Sequence, residues 1–570
     1  MIGTGISGIG VASIKKSQTL GNNIPLNELP DAGFNQPDNA TQDYEDNLGD
    51  IIDDLFGDDD DLFGGLDDED GDSGLGLDDL STESQTVSLP MEQPELPALS
   101  LEDLMDNVQE NQVLNRQRLF DTFLSFMQQY KLTPNFSDET EVDPESDEFQ
   151  NIEAMTIRSL ANASKQDFES VTSSLKKCTK TIFSLNLVVS RMKGLTDTDK
   201  IAFEIENTFR EGVPMSTKEN ITAMVEMNSS SYIITISNGE TPVITFGDIF
   251  IRQDIKDFFL NEKNKLPMIT GITELGQVIC DDAKDFDTML IAGKPRSGKS
   301  WYVTSILLEM MLFNSPEDVQ FIIVDPKKSN LFTTMSLLPH VAGLHDDSNI
   351  LEVMEDIIEN EAPRRKELFL ANKCDNIWDL RKKGIKLPVL YLVIDEYLTV
   401  MNNLKRIGMD KELNSKMQVI ISQLPSQGIR LMFIPHRATG IVDKTNRTMI
   451  QYSACVRSDV EEIKDTLEAP RWRRPLRKAG DLAVKTGKSA GAVYLRGPAV
   501  TPSDEQNMQF MEAAAKAFYK MGVDMPDMSN MKIAVNRDEE KIRDQLLDTG
   551  TRYQYNADTL ISNLDSDDDI

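Results

Sequence analysis

The run Gly293-Lys294-Pro295-Arg296-Ser297-Gly298-Lys299-Ser300 sets two glycines, a lysine and a hydroxyl at the spacing G-x-x-x-x-G-K-[ST]. Glycines let main-chain N–H groups curl around an anion, the lysine reaches β- and γ-phosphate oxygens, and the serine hydroxyl suits Mg2+. The chemistry is that of an ATP site, provided a strand feeds the loop and a helix leaves it. Further along, the apolar run Val389–Ile394 ends in Asp395-Glu396. Two carboxylates at a strand end divide two tasks: Asp395 joins Ser300 on the metal, and Glu396 orients and deprotonates the attacking water. Two more apolar runs end in Asp325-Pro326-Lys327-Lys328 and Pro435-His436-Arg437, which puts further polar groups on the same edge, with His436 set to sense the γ-phosphate. The expected catalytic residues are Lys299, Glu396 and His436, with ATP and Mg2+ as cofactors.

Those residues need a sheet whose strands all end on one side. Thr288–Ala292 reads as the strand entering the loop and Trp301–Leu312 as the helix leaving it. Together with Val319–Val324, Val389–Ile394 and Arg430–Ile434, separated by helical stretches, they predict an α/β fold: a P-loop NTPase motor domain over 263–522 with a mostly parallel sheet. Residues 151–262 read as a small α+β domain, with a helix near 197–210 and strands 231–236 and 242–246 joined through the hairpin signal Asn238-Gly239. Residues 100–150 combine an amphipathic helical segment, opened by a Ser100/Asp103 capping box, with an acidic linker. Residues 523–570 read as a mobile polar tail. Residues 1–99 read as a disordered acidic tail, in which Asp53-Asp54-Leu55-Phe56-Gly57 returns as Asp60-Asp61-Leu62-Phe63-Gly64, a docking peptide for an unidentified protein partner.

The chain has 570 residues and a formal net charge of −37, which at first argues against nucleic acid. Residues 1–150, however, hold 35 Asp and Glu against 5 Lys and Arg, and the middle of the chain is close to neutral. The acidity sits at the ends, so a DNA partner stays open. The densest basic run, Arg471 to Lys478, includes Arg471, Arg473 and Arg474 as candidate phosphate contacts. Four scattered cysteines make neither a disulfide framework nor a zinc site. No run reaches the ~18 apolar residues of a membrane span. The expectation is a cytoplasmic protein without an integral span, brought to a membrane or a viral assembly by a partner.

Several ordered elements go beyond the phosphate loop. Gly271–Gly276, Phe321–Lys327, Leu338-Pro339-His340, Ile394-Asp395-Glu396-Tyr397, Gly428-Ile429-Arg430-Leu431, Gly480-Asp481 and Gly491–Tyr494 together resemble the FtsK/SpoIIIE family of ring-forming DNA translocases. The resemblance is strongest to the conjugative DNA-transfer branch of coupling proteins, although this chain shows neither that branch's N-terminal spans nor a winged-helix module. It implies a RecA-like motor, a homo-hexameric ring and ATP-driven movement of double-stranded DNA. It also implies DNA contacts from Arg437 and the segment 458–464, Lys464 included. Pro425 stands where the family carries its trans-acting arginine, which leaves Arg430 and Arg437 as candidates for that role. Genome packaging, type VII-like protein secretion and a nucleotide-dependent assembly platform are the alternatives.

Overall fold

Two sheets organise the chain in the computed structural model, which describes residues 100–547 apart from 107, 109–113, 134, 168–169, 172–174, 213–220, 238–241, 438–447 and 490. The Asp-Asp-Leu-Phe-Gly repeats and Asn238-Gly239 lie outside the described residues. Strands β1 (Thr140–Glu141), β2 (Leu175–Lys180), β3 (Ser184–Ser190), β4 (Thr222–Met227) and β5 (Ser231–Ser237) form an antiparallel sheet in the order β1-β2-β3-β5-β4. Helices Asp147–Ser164 and Thr198–Glu211 pack on it, burying Ile152, Leu160, Ile201 and Ile205 against Leu187, Val189 and Ile234. Residues 140–150, expected as linker, are thus part of this domain.

The hairpin of this sheet is not the one expected. β5 pairs with β4 through a turn at Asn228, whose side-chain oxygen accepts from the N–H groups of Ser230 (3.0 Å) and Ser231 (2.7 Å). The run 242–246 forms no strand: Thr245 makes a single bridge to Ala499, and Phe246 opens the short helix Phe246–Ile249. Thr245 and Asp248 form a reciprocal capping box, a helix start hidden in a β-rich run.

The second sheet comprises β6 (Pro267–Ile272), β7 (Val278–Asp282), β8 (Thr288–Gly293), β9 (Val319–Val324), β10 (Val341–His345), β11 (Val389–Asp395), β12 (Ile429–Ile434), β13 (Tyr452–Val456), β14 (Asp481–Thr486) and β15 (Val493–Arg496), in the order β10-β9-β11-β12-β8-β13-β14-β15-β6-β7. From β10 to β13 the neighbours are parallel, and from β13 to β7 they are antiparallel. The parallel strands are buried on both faces, as their unbroken apolar runs require. Met289, Ile291, Phe321, Ile323, Tyr391 and Val393 enter one core, and Leu290, Ala292, Ile322, Val324, Leu392 and Ile394 the other. The loops after β8, β9, β11 and β12 consequently emerge on one edge.

Two segments outside the expected motor boundaries are built into it. Helix Arg116–Gln128 buries Phe120 against Phe250 and Phe313 (ring centroids 6.0 and 5.3 Å) and Phe123 against Phe518 (5.0 Å). Arg116 anchors it by donating to the carbonyls of Phe313 (3.1 Å) and Asn264 (2.7 Å). At the other end, the expected tail is ordered in its described part: residues 525–537 form a strap across the free edge of β10, and Glu539–Leu547 form a helix against helix Asp504–Lys520. Asp356 Oδ2 accepts from the N–H groups of Ile533 (2.7 Å) and Ala534 (2.9 Å), and Asn536 pairs with both main-chain groups of Leu344 (3.0 and 2.7 Å). No described helix is long and apolar enough to cross a membrane.

Candidate nucleotide site

β8 delivers the loop at Gly293, where a Cβ would stand 2.7 Å from the Val456 carbonyl and 2.8 Å from Ser297 Oγ. Only glycine lets β13 and the loop close at that point. Arg296 and Gly298 take left-handed backbone (φ 58° and 92°), a conformation that helps gather N–H groups into an anion cradle. Helix Lys299–Leu312 then begins at Gly298, which has no side chain to cap it; Lys299 N donates weakly to Ser297 Oγ at 3.3 Å, and the helix start presents its positive end to a phosphate. Lys299 Nζ lies 3.7 Å from Asp395 Oδ1 and 3.4 Å from the Ile434 carbonyl, so one ammonium draws together the ends of β8, β11 and β12. On the outer side, Lys294 pairs with Asp459 at 2.8 Å and Arg457 donates to the Arg296 carbonyl at 3.2 Å.

Glu396 joins β11 to helix Tyr397–Arg406 with φ 47°, a conformation that costs a non-glycine residue about 1–3 kcal/mol. Four of the seven described non-glycine residues with positive φ, namely Arg296, Lys328, Glu396 and Arg457, stand in the loops on this one sheet edge. The strain is gathered where the chemistry would be. Glu396 is buried, with Oε1 2.8 Å from Lys327 Nζ and Oε2 2.5 Å from His436 Nε2. The hydrogen bond to Glu396 raises the Lys327 pKa, while burial followed by the Lys299 charge lowers that of His436 against the pull of Glu396. Asp325 fixes the turn carrying Lys327 by accepting from Lys327 N (3.0 Å), Ser329 N (2.6 Å) and Ser329 Oγ (2.6 Å).

Lys299, Asp395, Glu396 and His436 are thus brought together around a cleft of about 850 Å3 whose walls include residues 294–302. Burial first, then Glu396 and Asp325, push the Asp395 carboxyl up to about 6 despite Lys299. A buried carboxylate that lines the same cleft as the exposed, hydroxyl-bearing Ser300 at the helix start fits a divalent cation. The far walls, made by Val243, Ile244, Arg496, Gly497 and Met508, carried no motif; they reach the cleft from the interdomain connector, the end of β15 and helix Asp504–Lys520, while Gly480, from the Gly480-Asp481 element, lies beside Gly298 of the loop.

Several candidates are placed elsewhere. Arg430 lies at the opposite end of β12, buried, donating to the carbonyls of Ala283 (2.6 Å), Phe286 (3.1 Å) and Lys284 (2.7 Å) and pairing with Asp287 (3.2 Å); it does not face the phosphate edge, because the start of β12 points away from it. Arg474 is taken out of the DNA set for a similar reason. Its guanidinium pairs with Glu274 at 2.7 Å and stacks 3.4 Å from the Tyr494 ring centroid, so the buried carboxylate consumes the charge. In the segment 458–464, Asp459 turns to Lys294 and Lys464 pairs with Glu461 at 2.6 Å. Arg437, Arg471 and Arg473 are exposed.

A parallel sheet whose edge carries an anion-cradling loop, a lysine and an Asp-Glu pair defines a P-loop ATPase motor domain. Residues 257–437 match the model of the FtsK/SpoIIIE family. DNA translocase FtsK of Campylobacter jejuni is 24% identical over 307 residues, covering 50% of this chain and 31% of that protein. DNA translocase SftA of Bacillus subtilis is 25% identical over 272 residues, covering 45% and 27%, so the chain spans well under half the length of these relatives. Among solved structures, the pCW3 conjugation coupling protein TcpA, a monomer with ATPγS, superposes with a TM-score of 0.41 at 16% identity over 64% of this chain and 99% of that one. The cytoplasmic domain of the type VII secretion ATPase EccC of Thermomonospora curvata gives 0.39 at 22% identity over 45% and 31%. The chain carries an FtsK/SpoIIIE-family domain.

Proposed function

We propose that this protein hydrolyses ATP to move double-stranded DNA, working as a homo-hexameric ring in the transfer of a conjugative plasmid or mobile element. The observation that carries the hydrolytic part is Glu396, buried beside Asp395 and held between Lys327 and His436 at the mouth of the phosphate loop. The loop N–H groups and Lys299 bind the phosphates, and the far walls around Val243 and Met508 take the base. Glu396 accepts one proton from water as the water oxygen bonds the γ-phosphorus and the bond to the β,γ-bridging oxygen breaks, releasing ADP and phosphate. Ser300 and Asp395 would hold Mg2+, which neutralises charge on the phosphates. Arg437, exposed after β12, is the arginine a neighbouring subunit's site could receive, and Arg471 and Arg473 are available to the DNA backbone.

Glu396→Gln should retain ATP binding while turnover falls ~100-fold or more, read as phosphate release beside nucleotide binding. In the unmodified protein, double-stranded DNA should stimulate ATPase, and stimulation should weaken steeply with salt. Stimulation by a protein substrate alone would move the reading to secretion. No stimulation by either would leave an assembly platform.

A further inference from the structure

We propose that Lys327 is a latch on Glu396 that responds to the terminal phosphate: its ammonium holds the carboxylate while the site is empty and passes to the γ-phosphate when ATP enters. The inference rests on the ATPase reading. Both carboxylate oxygens of Glu396 already have a close nitrogen partner, Lys327 at 2.8 Å and His436 at 2.5 Å. With both in place, the carboxylate is poorly free to take a proton from water. The two partners differ in freedom. Lys327 is 60% exposed at its side chain and lines the cleft, whereas Glu396 is 6% exposed. The ammonium can therefore leave, and the carboxylate cannot follow it.

The main chain under Lys327 does not need to move. Three hydrogen bonds to Asp325 pin the turn, so the transfer is a side-chain rotation. Its direction follows from charge: a γ-phosphate carries more negative charge than one carboxylate and offers more acceptor oxygens to the same ammonium. ADP, lacking that group, leaves the latch closed. Lys327 restrains Glu396 in the empty site and contacts the substrate phosphate in the filled one, so nucleotide binding and release of the base are one event.

The coupling is reciprocal, which makes it measurable without turnover. Binding of ATPγS and of ADP, with Mg2+, is compared by calorimetry in the full chain, Lys327→Ala, Lys327→Arg, Glu396→Gln and the double variant Lys327→Ala/Glu396→Gln. Lys327→Ala should weaken ATPγS ~10-fold and leave ADP within about twofold, and Lys327→Arg should restore the ratio. Glu396→Gln frees the ammonium and should tighten ATPγS ~5-fold, a gain the double variant loses. Equal effects of Lys327→Ala on both nucleotides, or a gain that persists in the double variant, would overturn the latch alone. Failure of the unmodified chain to bind either nucleotide would overturn the latch together with the ATPase reading.

Discussion

Burial, Glu396 and Asp325 hold the Asp395 carboxyl near 6, against an ordinary value of 3.8, and that shift has a sign. A carboxyl raised in the folded state costs stability when ionised, fully above about 6, and the cost fades as pH falls toward 3.8. Without metal, Asp395→Asn should be more stable than the unmodified protein by about 1–3 kcal/mol at neutral pH, with the gap closing in acid, as urea unfolding at the two pH values would register. Added Mg2+ should raise the melting temperature of the unmodified protein and not of the variant. Asp395, Glu396 and Lys299 were legible as residues because each sits within a local pattern. The partnership of Glu396 with Lys327 was not, because 69 positions separate them and only the neighbouring of β9 and β11 joins them.

At the scale of elements, strands β8, β9, β11 and β12 lie where the apolar runs put them, because a strand buried on both faces must be apolar throughout. The Ser100/Asp103 cap is likewise present, with Asp103 N donating to Ser100 Oγ at 3.1 Å. The strap over β10 escaped sequence reading, since residues 525–537 show no helical or strand period and are held by isolated polar anchors. Gly343 marks how close it lies: a Cβ there would stand 2.1 Å from the Ala534 carbonyl. Gly343→Ala should lift the strap, speed hydrogen exchange at Ile533 and Ala534, and cost about 1–3 kcal/mol, with ADP affinity unchanged. Unaltered exchange at those two amides would show the strap held by something other than this fit.

At the scale of the described molecule, Arg474 clasps the two sheets together. It meets Glu274 before β7 and Tyr494 on β15, and Glu274 also accepts from Ser237 of β5. Thr181 and Ser184 hydroxyls, from the small domain, both donate to the Glu274 carbonyl at 3.1 Å. Removing one partner of such a buried pair leaves an uncompensated charge, so Arg474→Ala should cost ~3 kcal/mol and expose the small domain to release by limited proteolysis. If DNA is the partner, Arg471→Ala and Arg473→Ala should each lower the salt dependence of binding by about one ion, while Arg474→Ala should not.

The phosphate loop, the carboxylate pair and the α/β order are properties of short stretches of chain, where residue spacing, strand burial and helix onset act locally, and the sequence determined them unaided. Which charges remain available is not local. Arg430, Arg437, Arg471 and Arg474 look alike along the chain, yet strand order and packing bury Arg430 against carbonyls, hold the half-buried Arg474 on a buried carboxylate and leave Arg437 and Arg471 in solvent. Tertiary structure decided that, because a buried ion must find its partner across the fold, and the partner's position is set by sheet order rather than by spacing.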